Sequence, residues 1–390
     1  MTEDVVVLGS GYAGTGTILS LEERLDGEAD LTWVSDVDHH LVLHEAHRII
    51  RDPSIRDRIR FPVSEIKSPG TRFVQGSVED VDVEGRTVHL ADGSTVEYDY
   101  LVVGFGSRTA FFGIEGLEEH SLTLKGLDDA MGVHDAVKDA AKEATRDDPA
   151  QVVVGGAGLS GIQSSGEIAA FRDRHRAPID IHLVEGLDNV FPNNDPVVQA
   201  KLRKLLEARD VNIMTGEFIG EVDEETVYIG EETELDYDVL LWTGGITGQE
   251  PASKFEVEQD ERSHRIDSAS TFRTSDERVF ALGDAALVEQ EQDDAVAPPT
   301  AQAAWQAAEI AGENVARAIR GQPMREWIHE DKGTLISVGD EAVAHDVVGF
   351  RNVMETFGGP VAEALKKGVA ARWIKTVAGP VAAARAYPDM

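Results

Sequence analysis

The 390-residue chain contains no cysteine. That excludes disulfide staples, thiolate metal sites and any redox-active dithiol. It also lacks an apolar run of about 20 residues, so no segment reads as a membrane-spanning helix. The opening run Val5–Leu8 is too short for a secretory signal and passes directly into a glycine-rich turn. Lysine is scarce, with 11 against 25 arginines. These 36 cations face 72 carboxylates, for a formal net charge of -36. A field of that sign repels nucleic-acid phosphates and excludes a general DNA or RNA partner. The acids are spread along the whole length and not gathered into a tail. Dispersed carboxylate with little lysine suits a surface kept hydrated in concentrated salt, where screening over ~3 Å at 1 M removes self-repulsion. A salt-adapted cytoplasmic protein is the expectation.

The hydrophobic share, 42%, is ordinary, and the length allows two or three packed domains. Val5–Leu8 reads as a buried parallel strand, residues up to about Arg24 as an amphipathic helix, and Leu31–Val34 as the next strand. The pattern recurs with Gln151–Val154, a helix over 159–173 and a strand over Ile179–Val184. Tyr98–Gly104 and Tyr237–Gly245 then resemble each other, each a strand before a glycine-containing turn. Two nucleotide-binding halves related by duplication are predicted. A tail from about Gly321 differs: a β-like stretch over 333–348, a break at Gly358-Gly359-Pro360, then an alanine-rich basic helix.

The segment Gly9-Ser10-Gly11-Tyr12-Ala13-Gly14 follows a strand and opens a helix. Glycines in this spacing allow a tight turn and bring backbone N–H groups onto a pyrophosphate at the positive helix end. An acid lies 22 positions beyond Gly14, at Asp36, although the residue directly after the strand is Ser35; either side chain can take the ribose hydrogen bond. The second motif, Gly156-Ala157-Gly158-Leu159-Ser160-Gly161, has the same context, with Glu185 ending the next strand. A carboxylate there accepts hydrogen bonds from a free ribose 2′-OH and repels a 2′-phosphate, which favours NADH over NADPH. Downstream, Val279–Leu282 leads into Gly283-Asp284.

At this point the chain resembles the two-dinucleotide-binding-domain flavoproteins, in which a strand ending Gly-Asp places the Asp on the flavin ribityl chain. The segment from Pro298 to Gln306 carries Ala301-Gln302, and Gly333–Gly339 with Ala342-Val343 follows. Both are similar to segments of the type II NADH:quinone oxidoreductases, single-subunit and non-pumping. The resemblance covers essentially the whole chain. It implies an α/β protein of two Rossmann-like domains plus a small C-terminal domain with an amphipathic helix. The expected boundaries are 1–115 with 250–325 for FAD, 116–249 for NADH and 326–390 for membrane association. It implies FAD held by Gly9, Gly11, Tyr12, Ala13, Gly14, Ser35, Asp36, Val78, Gly104, Gly106, Gly283, Asp284, Ala301 and Gln302. NADH, the co-substrate, falls to Gly156, Gly158, Leu159, Ser160, Gly161, Glu185, Gly244 and Gly245. A membrane quinone would meet Gln302 and Gln306, at the cytoplasmic face of the membrane.

This sequence departs from that family at Gly161-Ile162-Gln163, where a glutamate is usual. An amide hydrogen-bonds but cannot carry a proton, so Glu167, one helical turn on, or water becomes the candidate in its place. Without cysteine, the thiol-dependent branches of the superfamily are excluded. His39, His40, His44 and His47 cluster, but spacing alone is a weak metal motif and no metal is expected. In the tail, Lys366, Lys367, Arg372, Lys375 and Arg385 stand against Glu363 and Asp389. Leu365, Val369, Trp373 and Val377 repeat every four residues. The pattern suits a helix on an anionic lipid surface; packing on the body or against a second subunit of a homodimer is the alternative. Two other functions stay open: a soluble NADH-dependent reductase of a ferredoxin- or rubredoxin-like carrier, and a flavin-bound NADH sensor with little turnover.

Overall fold

The computed structural model describes residues 2–290, 295–350 and 355–390. In chain order, the elements that carry the sites are β1 (Glu3–Leu8), α1 (Tyr12–Leu25), β2 (Ala29–Ser35), β3 (Arg72–Gln75), β4 (Tyr100–Val103), β5 (Ala150–Gly155), α2 (Leu159–His175) and β6 (Ile179–Glu185). They continue with β7 (Val211–Thr215), β8 (Val239–Trp242), β9 (Val279–Ala281), α3 (Ala301–Ile319), β10 (Thr334–Val338), β11 (Glu341–His345), β12 (Thr356–Gly358) and α4 (Pro360–Ala386). The chain divides into a first unit of residues 1–42, 60–108 and 246–331 and a second of 43–59, 109–245 and 332–390.

The first unit is built on a parallel sheet in the order β9-β4-β1-β2-β3. Val5, Val7 and Leu8 are fully buried and Val6 nearly so. Such unbroken apolar runs belong to strands covered on both faces, which parallel connections through helices produce. On one face α1 lies along α3, where Ser20 Oγ donates to Glu309 O at 2.8 Å. A Cβ on Gly312 would sit 2.6 Å from that of Ser20, so the close approach depends on the missing side chain.

The second unit repeats the plan with β7-β6-β5-β8, again parallel. The duplication extends to single hydrogen bonds. Asp99 N donates to Asp4 O and Asp238 N to Gln151 O, each at 2.8 Å. The same two aspartates accept from Asp4 N at 2.8 Å and Gln151 N at 2.7 Å. Each half also carries a three-stranded antiparallel meander, over 78–97 and 219–236, that the periodicity of the sequence did not announce.

Residues 332–390 group with the second unit, as do 43–59. The antiparallel β10-β11-β12 sheet sends Ile336, Val338 and Val343 into the same core as Val152, Ile162 and Leu202. The tail helix α4 bends at Gly379 (φ 82°), just before Pro380. The apolar stripe expected to face lipid turns inward at its centre: Trp373, Ile374 and Val377 are buried, Leu365 is half-buried, and only Val369 is exposed. Lys366 is buried as well, which removes it from any headgroup-facing set.

Candidate functional site

In the first unit three segments converge on the C-terminal edge of the sheet. Gly9, with φ at +95°, makes the turn off β1; a Cβ there would stand 2.5 Å from Phe105 Cα. Gly14 seats α1 against the strand end, since a Cβ would fall 1.9 Å from Gly9 O. Between them Gly11 has an ordinary φ of -72°, and no protein atom lies within 4 Å of where a Cβ would be. The open space is therefore at the mouth of the helix, where backbone N–H groups point outward. In a chain this acidic, the first turn of α1 carries no acidic residue and no side chain caps it. By contrast Thr300 Oγ1 caps α3 by accepting from Ala303 N at 3.1 Å. An uncapped helix end with a void at the second glycine fits a pyrophosphate.

Around this cradle Gly104 approaches Gly14 N and Ala13, and Gly283 lies between Ala13 and Ala304. Gly283 thereby brings Asp284 beside the loop and beside the start of α3, where Ala301 and Gln302 lie. The Asp284 Oδ2 accepts from Ser107 Oγ at 3.4 Å, and its carbonyl from Arg265 Nε at 2.9 Å. Ser35 and Asp36 behave differently. The Ser35 hydroxyl is buried 2.9 Å from Ser10 Oγ, bracing the loop. The exposed Asp36 carboxylate accepts only locally, from Val37 N at 3.0 Å and Ser35 Oγ at 3.3 Å. Tyr12 is buried edge-on to His40 at 5.3 Å. Val78 is half-buried opposite Leu90 in the first meander, and Gly106 has open space around it. Gln306 is tied down: its amide donates to Glu330 O at 2.9 Å and to Gln302 Oε1 at 3.4 Å.

The second unit builds the same cradle. Gly156 (φ +90°) turns off β5, a Cβ on Gly161 would fall 1.8 Å from Gly156 O, and Gly158 faces open space. Helix α2 starts without a side-chain cap or an acid in its first turn, with Leu159 and Ser160 leading it. The Glu185 carboxylate is fixed by two backbone donors, Ala157 N to Oε2 at 2.8 Å and Leu187 N to Oε1 at 3.0 Å. Gly244 and Gly245 follow β8 on the other side of the loop, and Thr243 Oγ1 donates to Gly155 O and Gly156 O at 2.9 and 3.0 Å.

Further along α2 the structure gathers around Gln163 and Glu167 residues from other segments that no local pattern announced. The Gln163 amide donates to Ser337 Oγ at 3.2 Å and lies 3.2 Å from His47 Nε2, itself 3.1 Å from Ser337 Oγ. All three are buried. One turn on, Glu167 is fully buried with Arg51 Nε at 3.0 Å and Arg48 Nη1 at 3.7 Å. Arg48 also pairs closely with Glu45, which Lys366 Nζ approaches at 3.7 Å, and Arg51 pairs with Asp340 at the surface. Burial pushes the Glu167 carboxyl up to about 7, against the pull of Arg51 and Arg48. At Glu45 burial acts the same way but is outweighed by Lys366 and Arg48, which hold that carboxyl below the ordinary range. Burial pushes His47 well below the ordinary histidine range, and takes His44 down to about 4. The histidines are thus spoken for by polar neighbours, His39 by Asp38 at 3.0 Å and His40 by Ser10 O at 2.8 Å. Among the described residues no group of three or more His, Asp or Glu has metal-site geometry.

Comparison with known proteins agrees with this geometry. The pyridine nucleotide-disulphide oxidoreductase family matches residues 3–308. The chain is 26% identical over 378 residues to a type II NADH:quinone oxidoreductase of Staphylococcus aureus (strain NCTC 8325), covering 92% of this chain and 90% of that protein. The Staphylococcus saprophyticus protein of the same name is likewise 26% identical, over 365 residues, 88% of this chain and 89% of the other. Among solved structures, NDH2 from Plasmodium falciparum in complex with NADH superposes with a TM-score of 0.85 at 17% identity, covering 100% of this chain and 98% of that one. That likeness is one of fold. With both cradles in place, a match over three-quarters of the length and no cysteine to perform the chemistry of the name, the chain belongs to the pyridine nucleotide-disulphide oxidoreductase family as a member that works without a disulfide.

Proposed function

We propose that this chain is an FAD-dependent NADH:quinone oxidoreductase of the type II kind. The observation that carries the reading is the pair of equivalent, uncapped glycine cradles in a cysteine-free chain, the second with a fixed carboxylate. It is supported by the likeness to curated type II enzymes, which extends over the C-terminal part that the family match leaves out. Gly9, Gly11 and Gly14 would hold FAD on the first cradle, with Asp36 for the ribose and Asp284 for the ribityl chain. NADH lies on the second, with Glu185 on the adenosine ribose. Bound flavin supplies the chemistry that links a hydride donor to a two-electron acceptor. The protein's part is positioning and the exclusion of competing reactions.

The balance sets one demand on the chain itself. NADH and quinone yield NAD+ and quinol only with one further proton from solvent. Gln163 cannot hold it, whereas Glu167 can, because its carboxyl is poised near neutrality. A cavity of about 240 Å³ is lined by Arg48, Arg51, Ser337 and Lys366, and two of these, Arg48 and Arg51, contact Glu167. Gln302 at the start of α3 is the residue assigned to the quinone side. Gln306, bonded to Glu330, acts through Gln302.

No helix among the described residues is long and apolar enough to cross a membrane. The reading places peripheral attachment on the outer face of α4, where Val361, Val369 and Val381 are exposed, as are Arg372, Lys375 and Arg385. The inward turn of Trp373 and Val377 narrows that face. It gives weight to a second reading, a soluble reductase of a small electron carrier. Anaerobic stopped-flow decides between them. Bleaching of the flavin by NADH and rapid reoxidation by a menaquinone analogue supports the first; slow reoxidation by quinones with rapid turnover on a ferredoxin supports the second. Binding of the holoprotein to anionic vesicles, lost on charge reversal at Arg372, Lys375 and Arg385, tests the attachment.

A further inference from the structure

The two most exposed phenylalanines in the described chain are Phe112, at 69%, and Phe218, at 66%. Both belong to the second unit, and both lie on a glycine at the edge of its dinucleotide cradle. A Cβ on Gly186 would stand 2.2 Å from Phe218 Cδ1 and 2.3 Å from Cε1, so that ring rests on bare backbone. Gly186 is the residue directly after Glu185. A Cβ on Gly245 would stand 2.5 Å from Phe112 Cζ and 2.9 Å from Cε2. Gly245 belongs to the turn after β8, and Phe112 itself is held at φ +55°, a region bulky side chains rarely adopt. At each position the missing side chain leaves room for an aromatic ring that stays largely exposed.

The sheet order makes these two places the opposite ends of one ligand. The cradle follows β5. Its neighbour β6 ends at Glu185 and runs into Gly186 on one side, and its other neighbour β8 ends at Trp242 and runs into Thr243–Gly245 on the other. The strands are parallel, so all three ends share one edge, with the pyrophosphate site in the middle. Glu185 marks the adenosine half. The β8 end then receives the other half.

Resting on the reading of this cradle as the NADH site, we infer that Phe218 is the platform for the adenine and Phe112 the platform for the nicotinamide. A purine and a nicotinamide both present π faces to such rings. Stacking of a base on an aromatic side chain is worth ~1–3 kcal/mol, or roughly 5- to 150-fold in affinity. Neither ring is buried in the core, so removing either leaves the fold intact.

The test is calorimetric titration of the FAD-loaded protein with ADP-ribose, which lacks the nicotinamide, and with NAD+. Phe218→Ala is expected to weaken both ligands about 5- to 150-fold, and Phe218→Tyr to restore binding within about twofold. Phe112→Ala is expected to weaken NAD+ by a similar factor and leave ADP-ribose unchanged. If Phe218→Ala binds ADP-ribose as well as the wild type does, or Phe112→Ala leaves NAD+ unaffected, the platform assignment is overturned while the NADH site stands. If the wild-type protein binds neither ligand, the reading of the cradle itself fails and the platforms with it.

Discussion

Replacing Glu185 by glutamine isolates the charge at the second cradle. In the wild type the carboxylate is oriented in advance by Ala157 N and Leu187 N, so no reorganisation is needed when a ribose arrives. The amide keeps the shape and one oxygen acceptor, but it removes the negative charge. A 2′-phosphate bears ~1.5–2 charges. At about 4 Å each unit pair repels by ~1 kcal/mol in bulk water and ~4 at a protein surface, so the phosphate is rejected by roughly 2–8 kcal/mol. A hydrogen bond between ribose hydroxyl and carboxylate adds ~1.5–3 kcal/mol in favour of NADH. Even the low ends of both ranges exceed 3 kcal/mol, so the wild type prefers NADH by about 100-fold or more. E185Q is therefore expected to lower the NADH/NADPH ratio of flavin-reduction efficiency by about 100-fold, with NADPH gaining and NADH losing. Stopped-flow bleaching against concentration of each nucleotide measures it. Salt provides an independent check. Between 0.1 M and 1 M the screening length falls from ~10 to ~3 Å, so discrimination by the wild type declines with salt and that of E185Q does not. A ratio that moves by less than about threefold, or that declines equally steeply in both proteins, refutes the assignment of Glu185 to the ribose.

Gly11→Ala places a methyl group in the open space at the mouth of α1 without touching protein, so the chain is expected to fold and to purify with little FAD, read from the flavin-to-protein absorbance ratio. Gly14→Ala meets Gly9 O and is expected to compromise folding itself. Glu45→Gln takes the paired carboxylate from buried Lys366 and leaves Arg48 with Glu167, at ~3–5 kcal/mol. For a unit of this size that is roughly 6–20 °C in Tm by thermal scanning of the holoprotein, and adding Lys366→Met is expected to recover part of it. Glu167 has its folded-state pKa raised, so its contribution to stability is present below about 4.5 and is lost as pH rises through about 7. The difference in Tm between wild type and Glu167→Gln is therefore expected to move against the wild type between pH 5 and 8; a flat difference would place the carboxyl near its ordinary pKa.

Both central sheets were legible because parallel strands buried on two faces leave continuous apolar runs, and Val5–Leu8 and Val152–Val154 are such runs. The cradles were legible for a different reason. Their constraint is local, a backbone turn and a helix end that admit no Cβ, and it is satisfied within six residues. The meanders at 78–97 and 219–236 escaped because their strands are short and carry acids such as Glu79, Asp80 and Glu221 in positions where periodicity would be sought.

The cluster around Glu167 escaped for a reason that no closer reading of one chain removes. Its members come from positions 45–51, 163–167, 337–340 and 366, and apart from Gln163 and Glu167 each is an unremarkable polar residue in its own segment. Lys366 and Lys367 show the limit well: adjacent, identical in type, one buried against Glu45 and the other paired with Glu363 on the helix surface. The four-residue repeat of Leu365, Val369, Trp373 and Val377 fails in the same way. Periodicity states that a helix has an apolar face and is silent on what covers it. In this chain part of the cover is the β10–β12 sheet, where Leu365 packs against Ala342, Ala344 and Phe357. Ser35 and Asp36 show the converse. They are adjacent alternatives in the sequence, but the Ser35 hydroxyl is buried on Ser10, and so the exposed Asp36 carboxylate is the one proposed for the ribose.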